Sequence, residues 1–158
     1  LGAMLGRRAL LRVLGQSAAL AGIGTLTTGC PFAKAPPTGP VPAGNIRSVP
    51  VGHFGFVPGQ PLVLARDERG VYSMTAICTH WGCDMQGDGK AGADGVRCGC
   101  HGSHFDKIGR VLEGPANEPL AHYQVDIEVN GDIYVIAGTK VPSDTRTVVL
   151  EAPPPPPL

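Results

Sequence analysis

Two short stretches, CTHWGC at residues 78–83 and CGCHGSHFD at residues 98–106, decide how this chain folds. Each offers a cysteine and a histidine at close spacing, and each contains a further cysteine. Two thiolates and two imidazoles suit either one tetrahedral metal ion or a [2Fe–2S] cluster with two cysteines on one iron and two histidines on the other. Structural zinc usually leaves about two to four residues between paired ligands, whereas Cys78 and His80 are separated by one. The spacing, and the extra cysteines that zinc does not explain, favour the cluster.

These stretches closely resemble the two cluster loops of the Rieske proteins of cytochrome bc complexes, which read C-T-H-x-G-C and C-x-C-H-G-S. The resemblance implies one Rieske-type [2Fe–2S] cluster per chain. Cys78 and Cys98 would bind the inner iron, and His80 and His101 would bind the outer, solvent-facing iron. Because the match joins two loops, it is more specific than a single short motif.

The resemblance also implies roles for residues beside the ligands. It pairs Cys83 with Cys100 in a disulfide between the loops, and it places Ser103 where the family has a hydroxyl bonded to a bridging sulfide. Phe105 stands where high-potential members carry a tyrosine whose hydroxyl bonds the first cysteine ligand. Gly99 stands where many members have proline. Both departures concern the reduction potential more than membership of the family.

Two further features lie close to the predicted ligands. Gly114, Pro115 and Ala116 resemble the family's proline loop, which covers the third side of the cluster. Trp81 stands where the bc-complex proteins usually have a smaller apolar residue. It would shield the cluster, form part of a docking surface, or pack locally, and these interpretations stay open.

Composition and charge favour an all-β fold without a nucleic-acid partner. The chain has 23 Gly and 16 Pro among 158 residues, which predicts many turns and little helix. A formal net charge of zero argues against nucleic-acid or polybasic membrane partners. The resemblance implies a Rieske fold, an antiparallel β base domain with a smaller cluster-binding insert of loops.

Strand and turn signals follow this expectation. Apolar residues alternate with polar ones from Tyr123 to Val129, and Asn130-Gly131 then predicts a hairpin into a second strand with one buried face. Residues 67–70 predict another hairpin turn, which delivers the chain into the first cluster loop. Apolar runs at residues 46–51 and 62–65 are also predicted to be strands.

Residues 1–29 are predicted to be a signal or anchor segment. Arg7 and Arg8 resemble a twin-arginine export motif and precede a mildly apolar run at residues 13–28. A spanning helix needs about twenty predominantly apolar residues, so a signal is favoured over a retained anchor, which stays open. Twin-arginine transport carries folded proteins, which agrees with a cluster built before export.

Cys30 is the odd fifth cysteine of the chain. Leu26-Thr27-Thr28-Gly29-Cys30 resembles a lipoprotein signal-peptidase site, although the leucine lies one position further upstream than usual. Lipidation of Cys30, a free thiol and cleavage elsewhere stay open. We expect a bacterial envelope protein tethered at the periplasmic face of the cytoplasmic membrane.

The composition of the chain also predicts where the linker, the domain and the tail begin and end. Residues 30–45 contain five prolines and are predicted to be an extended linker. Residues 46–150 form the predicted Rieske domain, with the cluster-binding insert at about 77–115. Residues 151–158 are a proline-rich tail.

We find no nucleophile paired with a base and no open metal position in the sequence, which predicts a one-electron carrier rather than a stand-alone catalyst. The resemblance implies the iron–sulfur subunit of a quinol-oxidising bc-type complex, with a cytochrome b-type subunit as partner and a cytochrome c as acceptor. Two alternatives stay open. One is the small Rieske subunit of an arsenite-oxidase-like molybdenum enzyme, and the other is a zinc-stabilised, non-redox envelope module.

Overall fold

The computed structural model describes residues 37–149, which form two antiparallel sheets. The strands are Gly39–Asn45 (β1), Phe54–Phe56 (β2), Leu62–Asp67 (β3), Gly70–Thr75 (β4), Lys90–Gly92 (β5), Gly95–Arg97 (β6), His104–Phe105 (β7), Val111–Glu113 (β8), His122–Ile127 (β9) and Asp132–Val141 (β10). One short α-helix, Met85–Asp88 (α1), and a 3₁₀ turn at Ile46–Ser48 complete these elements. The all-β prediction is confirmed. Within residues 37–149, no helix is both long and apolar enough to cross a bilayer.

The larger sheet, which we call the base sheet, has the strand order β1-β10-β9-β4-β3-β2. Strands β9 and β10 form a hairpin in this sheet, in which Val125 pairs with Val135 and both side chains are buried. Gly131 in the connecting turn has a φ of 90°, a conformation that glycine adopts without steric cost. The hairpin predicted from the Asn-Gly pair is therefore confirmed, as is the turn between β3 and β4.

The first strand lies inside the segment predicted to be linker. Residues Gly39–Asn45 pair with β10, and Val41 and Ala43 are buried in the base core. Proline is tolerated in a strand at the edge of a sheet, since its missing N–H need not face a neighbour, and β1 is such an edge. The linker prediction is thus wrong for residues 39–45. The strand predicted at residues 46–51 is also wrong, because the chain forms the 3₁₀ turn and a further turn there.

The smaller sheet, which we call the cluster sheet, has the order β5-β6-β7-β8 and is inserted in the chain between β4 and β9. Its strands have only two or three residues each, so they contribute few backbone hydrogen bonds. Phe105 and Val96 instead pack in one apolar core with Met74 of the base sheet and with Cys78 and Cys98. This shared core places the two cysteine loops on the base.

Candidate metal centre

The two cysteine-containing stretches form loops with the same backbone hydrogen bonds. In the first loop, residues 78–83, the N–H of Cys78 donates to the carbonyl of Cys83 at 2.9 Å. In the second loop, residues 98–103, the N–H of Cys98 donates to the carbonyl of Ser103 at 2.8 Å. A second bond joins the fifth residue of each loop, Gly82 or Gly102, to the carbonyl of the first, at 2.9 and 3.0 Å. The first cysteine of each loop therefore makes the same two backbone hydrogen bonds.

The thiols of Cys78 and Cys98 lie side by side beneath the loops. Their exposed fractions are 2% and 1%, and both belong to the same apolar core. Burial raises the pKa of the Cys98 thiol and the neighbouring Cys78 raises it further, while the backbone amides of Cys100 and His101 oppose the rise. A bound cation removes this cost, because a coordinating thiol is held as the thiolate. Iron is such a cation, and these two thiols fit one iron of the predicted cluster.

The two imidazoles lie above the thiols, nearer to solvent. The ring centroids of His80 and His101 are 5.0 Å apart and the rings are almost perpendicular, with an interplanar angle of 83°. Nδ1 of His80 is buried and has no hydrogen-bond partner among the described residues. A buried ring nitrogen without a partner is costly unless it binds a ligand, so this atom fits the second iron.

Trp81 is in contact with both imidazoles. Its ring stacks on His80 at 4.9 Å with an interplanar angle of 10°, and it meets His101 edge-on at 5.0 Å with an angle of 73°. The side chain is nevertheless 64% exposed. Trp81 thus packs against both rings and remains at the surface.

The spacing of the donor atoms separates a cluster from a single ion. Ligands of one tetrahedral zinc ion lie roughly 3.3 to 3.8 Å from one another, since each bond to the metal is about 2.0 to 2.3 Å. Among residues 37–149, the one group of three such donors within 4.8 Å of one another is Cys83, Cys100 and His101. Cys78, His80, Cys98 and His101 do not form a group of that size. No three of these four donors therefore lie as close to one another as the ligands of one zinc ion do.

A disulfide joins the two loops. Cys83 and Cys100 are bonded, with 6.7 Å between their Cα atoms, while Cys78 and Cys98 are free thiols. The prediction of this pairing is confirmed. Cys83 belongs to the apolar core beneath the loops, and Cys100 packs against its edge.

The predicted covering loop and the residues just after it are hydrogen-bonded to the two cysteine loops. The backbone N–H of Ala116 donates to Oγ of Ser103 at 3.0 Å, which leaves the hydroxyl proton of Ser103 available to a further acceptor. On the other side, Oγ1 of Thr79 donates to the carbonyl of Glu118 at 2.6 Å. Ala116 is buried in the core that contains Cys78 and Cys98. The sequence analysis missed Thr79, although its position between two predicted ligands was a signal.

Phe105 and Gly99, the two residues that depart from the family pattern, have different surroundings. Phe105 is fully buried in the core that contains both free thiols, which agrees with its predicted place beside the site. At Gly99, a Cβ atom would lie 2.1 Å from the backbone oxygen of Asp88 and 2.7 Å from its carbonyl carbon. Any larger residue at position 99 would therefore require α1 or the second loop to move. Glycine is required there by the close approach of another part of the backbone.

The base sheet anchors the turn that follows the second loop. The hydroxyl of Tyr72 donates to the carbonyl of Lys107 at 3.0 Å, and Nε2–H of His122 donates to the carbonyl of Ile108 at 2.9 Å. The rings of Tyr72 and His122 stack at 5.9 Å. Burial lowers the pKa of His122 below its ordinary value, so the neutral ring makes this contact.

Two antiparallel sheets thus carry two disulfide-linked loops whose remaining cysteines and histidines are suited to hold a metal centre. The sequence profile of the Rieske [2Fe-2S] domain matches residues 39–124. The chain belongs to the Rieske [2Fe–2S] domain family, and its cofactor is a Rieske-type cluster.

The chain is also similar to individual proteins. The chain is 40% identical over 106 residues to the cytochrome b6-f complex iron-sulfur subunit of Synechococcus sp. (strain WH7803), covering 67% of this chain and 56% of that protein. It is 36% identical over 111 residues to the corresponding subunit of strain CC9605, covering 66% and 60%. A solved cyanobacterial plasma membrane Rieske protein from Synechocystis PCC 6803 is 25% identical, with a TM-score of 0.43 over 60% of this chain and 97% of that one. The chain thus spans less than two thirds of the length of these cytochrome b6-f subunits.

Proposed function

We propose that this chain is the iron–sulfur electron carrier of a quinol-oxidising, bc-type membrane complex. The observation that carries the proposal is the asymmetry of the site. The thiols of Cys78 and Cys98 are buried, whereas His101 is exposed and His80 is half-buried beside the exposed Trp81. A partner that docks on the exposed face therefore meets the imidazoles and not the thiols.

In this proposal Cys78 and Cys98 hold one iron, and His80 and His101 hold the other. When bound, the cluster stores a single electron. The chain's own residues orient the two imidazoles, exclude water from the thiols, and leave the outer ring nitrogens at the surface. Such a nitrogen accepts a hydrogen bond from a quinol hydroxyl and holds a proton when the site becomes more negative.

The partners belong to the same proposal. A cytochrome b-type subunit would supply quinol, and a cytochrome c would accept the electron. The similarity to cytochrome b6-f subunits supports this assignment over an arsenite-oxidase-like enzyme, and the Rieske family supports a cluster over a zinc module.

Purification from membranes tests the proposed complex. Tagged holoprotein should co-purify with a cytochrome b-type subunit, and the preparation should reduce cytochrome c with quinol. Replacement of His101 by Asn should abolish this activity and the paramagnetic resonance of the reduced cluster, whereas Lys107→Gln on the exposed turn should leave both unchanged. Co-purification with a molybdenum-cofactor subunit would contradict the assignment.

The location rests on residues 1–36, which lie outside the described part of the chain. We expect export by the twin-arginine route and attachment at the periplasmic face of the cytoplasmic membrane. Replacing Arg7 and Arg8 by Lys should leave cluster-loaded protein in the cytoplasm, and normal export of that variant would exclude this route. Mass spectrometry of the mature N-terminus tests the separate proposal that Cys30 is acylated, which an unmodified start at another residue would refute.

A further inference from the structure

A buried arginine lies in the segment that follows β10, residues 142–149, which we call the strap. The side chain of Arg146 is only 4% exposed. Its Nε donates to a carboxylate oxygen of Asp67 at 2.7 Å, and Nη1 donates to two carbonyls of the strap itself at 3.0 and 2.8 Å. Its guanidinium carbon lies 3.7 Å from the centre of the Tyr72 ring. Because a buried charge requires such partners, Arg146 is held in one orientation against Tyr72.

The strap is paired with the base sheet. Thr147 and Val71 exchange both of their backbone hydrogen bonds, at 2.9 and 2.8 Å. The hydroxyl of Thr147 also donates to the carbonyl of Val125 in β9. The strap lies outside residues 39–124, which match the family. The family match therefore does not describe its contacts with the base sheet.

Two rings of the base sheet connect Arg146 with the turn at residues 106–110. Tyr72 and His122 stack at 5.9 Å, and each donates to one carbonyl of this turn, at 3.0 and 2.9 Å. Asp106, at the start of the turn, accepts two backbone N–H groups of the same turn at 3.0 and 2.8 Å. These internal bonds stiffen the turn, so a displacement of either ring affects the turn as a whole.

We propose that Arg146 is a positioning residue for the second loop and that it acts through Tyr72. The turn is joined to the second loop by the two residues of β7. One of them, Phe105, lies in the core that contains both free thiols. By holding Tyr72 against the turn, Arg146 holds the end of the second loop on the base sheet.

The consequence rests on the proposed function, because it concerns the half of the site that carries His101. This imidazole is exposed and would face the partner that docks. Without Arg146, the ring of Tyr72 is free to turn away from the carbonyl that it binds, and the second loop should open more often. The first loop is bound elsewhere, through the hydroxyl of Thr79. The strap would therefore keep the partner-facing histidine in one orientation and leave the first loop unaffected.

Hydrogen exchange of the holoprotein, followed by mass spectrometry, tests the proposal. In Arg146→Ala the amides of the second loop and of the turn should exchange about tenfold faster than in the wild type, as expected for the loss of a desolvated cation–π contact. The amides of the first loop should keep their wild-type rates. Arg69→Ala is the matched control, since Arg69 also pairs with Asp67, at 3.6 Å, but is 62% exposed. It should change neither loop. Equal acceleration in both loops of Arg146→Ala, or none, would overturn the proposal.

Tyr72→Phe provides a second test that keeps the buried cation in place. This variant lacks the hydroxyl that donates to Lys107 but retains the ring, so the second loop should again exchange faster, by a smaller factor, and the first loop should not. In both variants the paramagnetic resonance of the reduced cluster should broaden at unchanged intensity per chain, because the histidine of the second loop is less uniformly oriented. Wild-type exchange and a wild-type spectrum in Tyr72→Phe would overturn the proposal. Failure of the proposed function would appear instead as absence of quinol oxidation by the wild type, with both loops protected.

Discussion

The first and second loops have the same backbone hydrogen bonds but carry different side chains. Each closes with a bond from the N–H of its first residue to the carbonyl of its sixth, and each has glycine at the fifth position, with φ values of 76° and 80°. Yet the predicted histidine ligand is the third residue of the first loop and the fourth of the second. Trp81 consequently occupies the position that corresponds to His101.

This difference teaches that the loop conformation and the ligand set are specified separately. Glycine at the fifth position and backbone hydrogen bonds determine the conformation, since they recur in both loops. The side chains at the third and fourth positions determine what each loop offers a metal or a partner. The second positions differ as well, because Thr79 donates to the covering loop whereas Gly99 has no room for a side chain.

We expect the largest effect from a substitution at Gly99, the second position of the second loop. Gly99→Ala should displace α1 or the loop and cost more than the about 1 to 3 kcal/mol of ordinary overpacking, because the clash is with backbone atoms of Asp88. Thr79→Ala, at the same position of the first loop, should cost only about 1 kcal/mol for one lost hydrogen bond. Iron content after purification and the midpoint of thermal unfolding measure both.

Gly87→Ala is the matched control for that prediction. It adds the same methyl group within α1, where no atom lies within 4 Å of the new Cβ. Holoprotein yield should equal that of the wild type. If Gly99→Ala were equally benign, the close approach of Asp88 would not constrain the second loop.

Removal of the bridge tests how far the two loops depend on each other. The disulfide spans a sequence separation of 17, and the chain-entropy model gives roughly 3 kcal/mol for a loop of about this length. Cys83→Ala/Cys100→Ala should still assemble the cluster but lose it at a lower temperature, as followed by visible absorption. A double variant that retains its cluster as well as the wild type would show that the cluster alone holds the loops together.

Acid should weaken the anchor between the base sheet and the turn that follows the second loop. Burial depresses the pKa of His122, and nearby Arg146 adds to this while Asp106 opposes it. The stability that neutral His122 contributes is therefore complete above pH 6.5, the pKa of the unfolded chain. It is lost as the pH falls through the lower pKa of the folded protein. The limiting slope for one proton is about 1.4 kcal/mol per pH unit. Urea unfolding of wild type and His122→Gln should show a shallower pH dependence in the variant, whose amide keeps a donor but does not titrate; equal slopes would contradict this role.

The smallest expected effect concerns Phe105, which lies two residues after the second loop. We expect a tyrosine at position 105 to direct its hydroxyl toward the Cys78 sulfur and to stabilise the reduced cluster more than the oxidised one. About 1 kcal/mol corresponds to roughly 40 mV for one electron, so Phe105→Tyr should raise the potential by some tens of millivolts. Protein-film voltammetry measures the change. An unchanged or lower potential with an intact resonance spectrum would show that residue 105 does not face Cys78.

Much of the site could be predicted because its specifying residues are close in sequence. The two loop motifs indicated the family and the disulfide, and Asn130-Gly131 marked the hairpin. Contacts between distant residues were not predictable in the same way. The need for glycine at position 99 depends on where α1 places Asp88, and the stacking of Trp81 on two histidines depends on the relative position of the loops. The sequence of β1 suggested a linker because its pairing with β10 lies some ninety residues away.

The prolines of β1 have a consequence for the behaviour of the protein among other copies of itself. Alternate residues of an edge strand direct their N–H groups away from the sheet, where a foreign strand could pair with them. Pro40 and Pro42 occupy two such successive outward positions and supply no N–H at either. The shift in register between Pro42 and Gly44 further interrupts this edge. The first strand therefore completes the base sheet and at the same time blocks strand addition and aggregation along its outer edge.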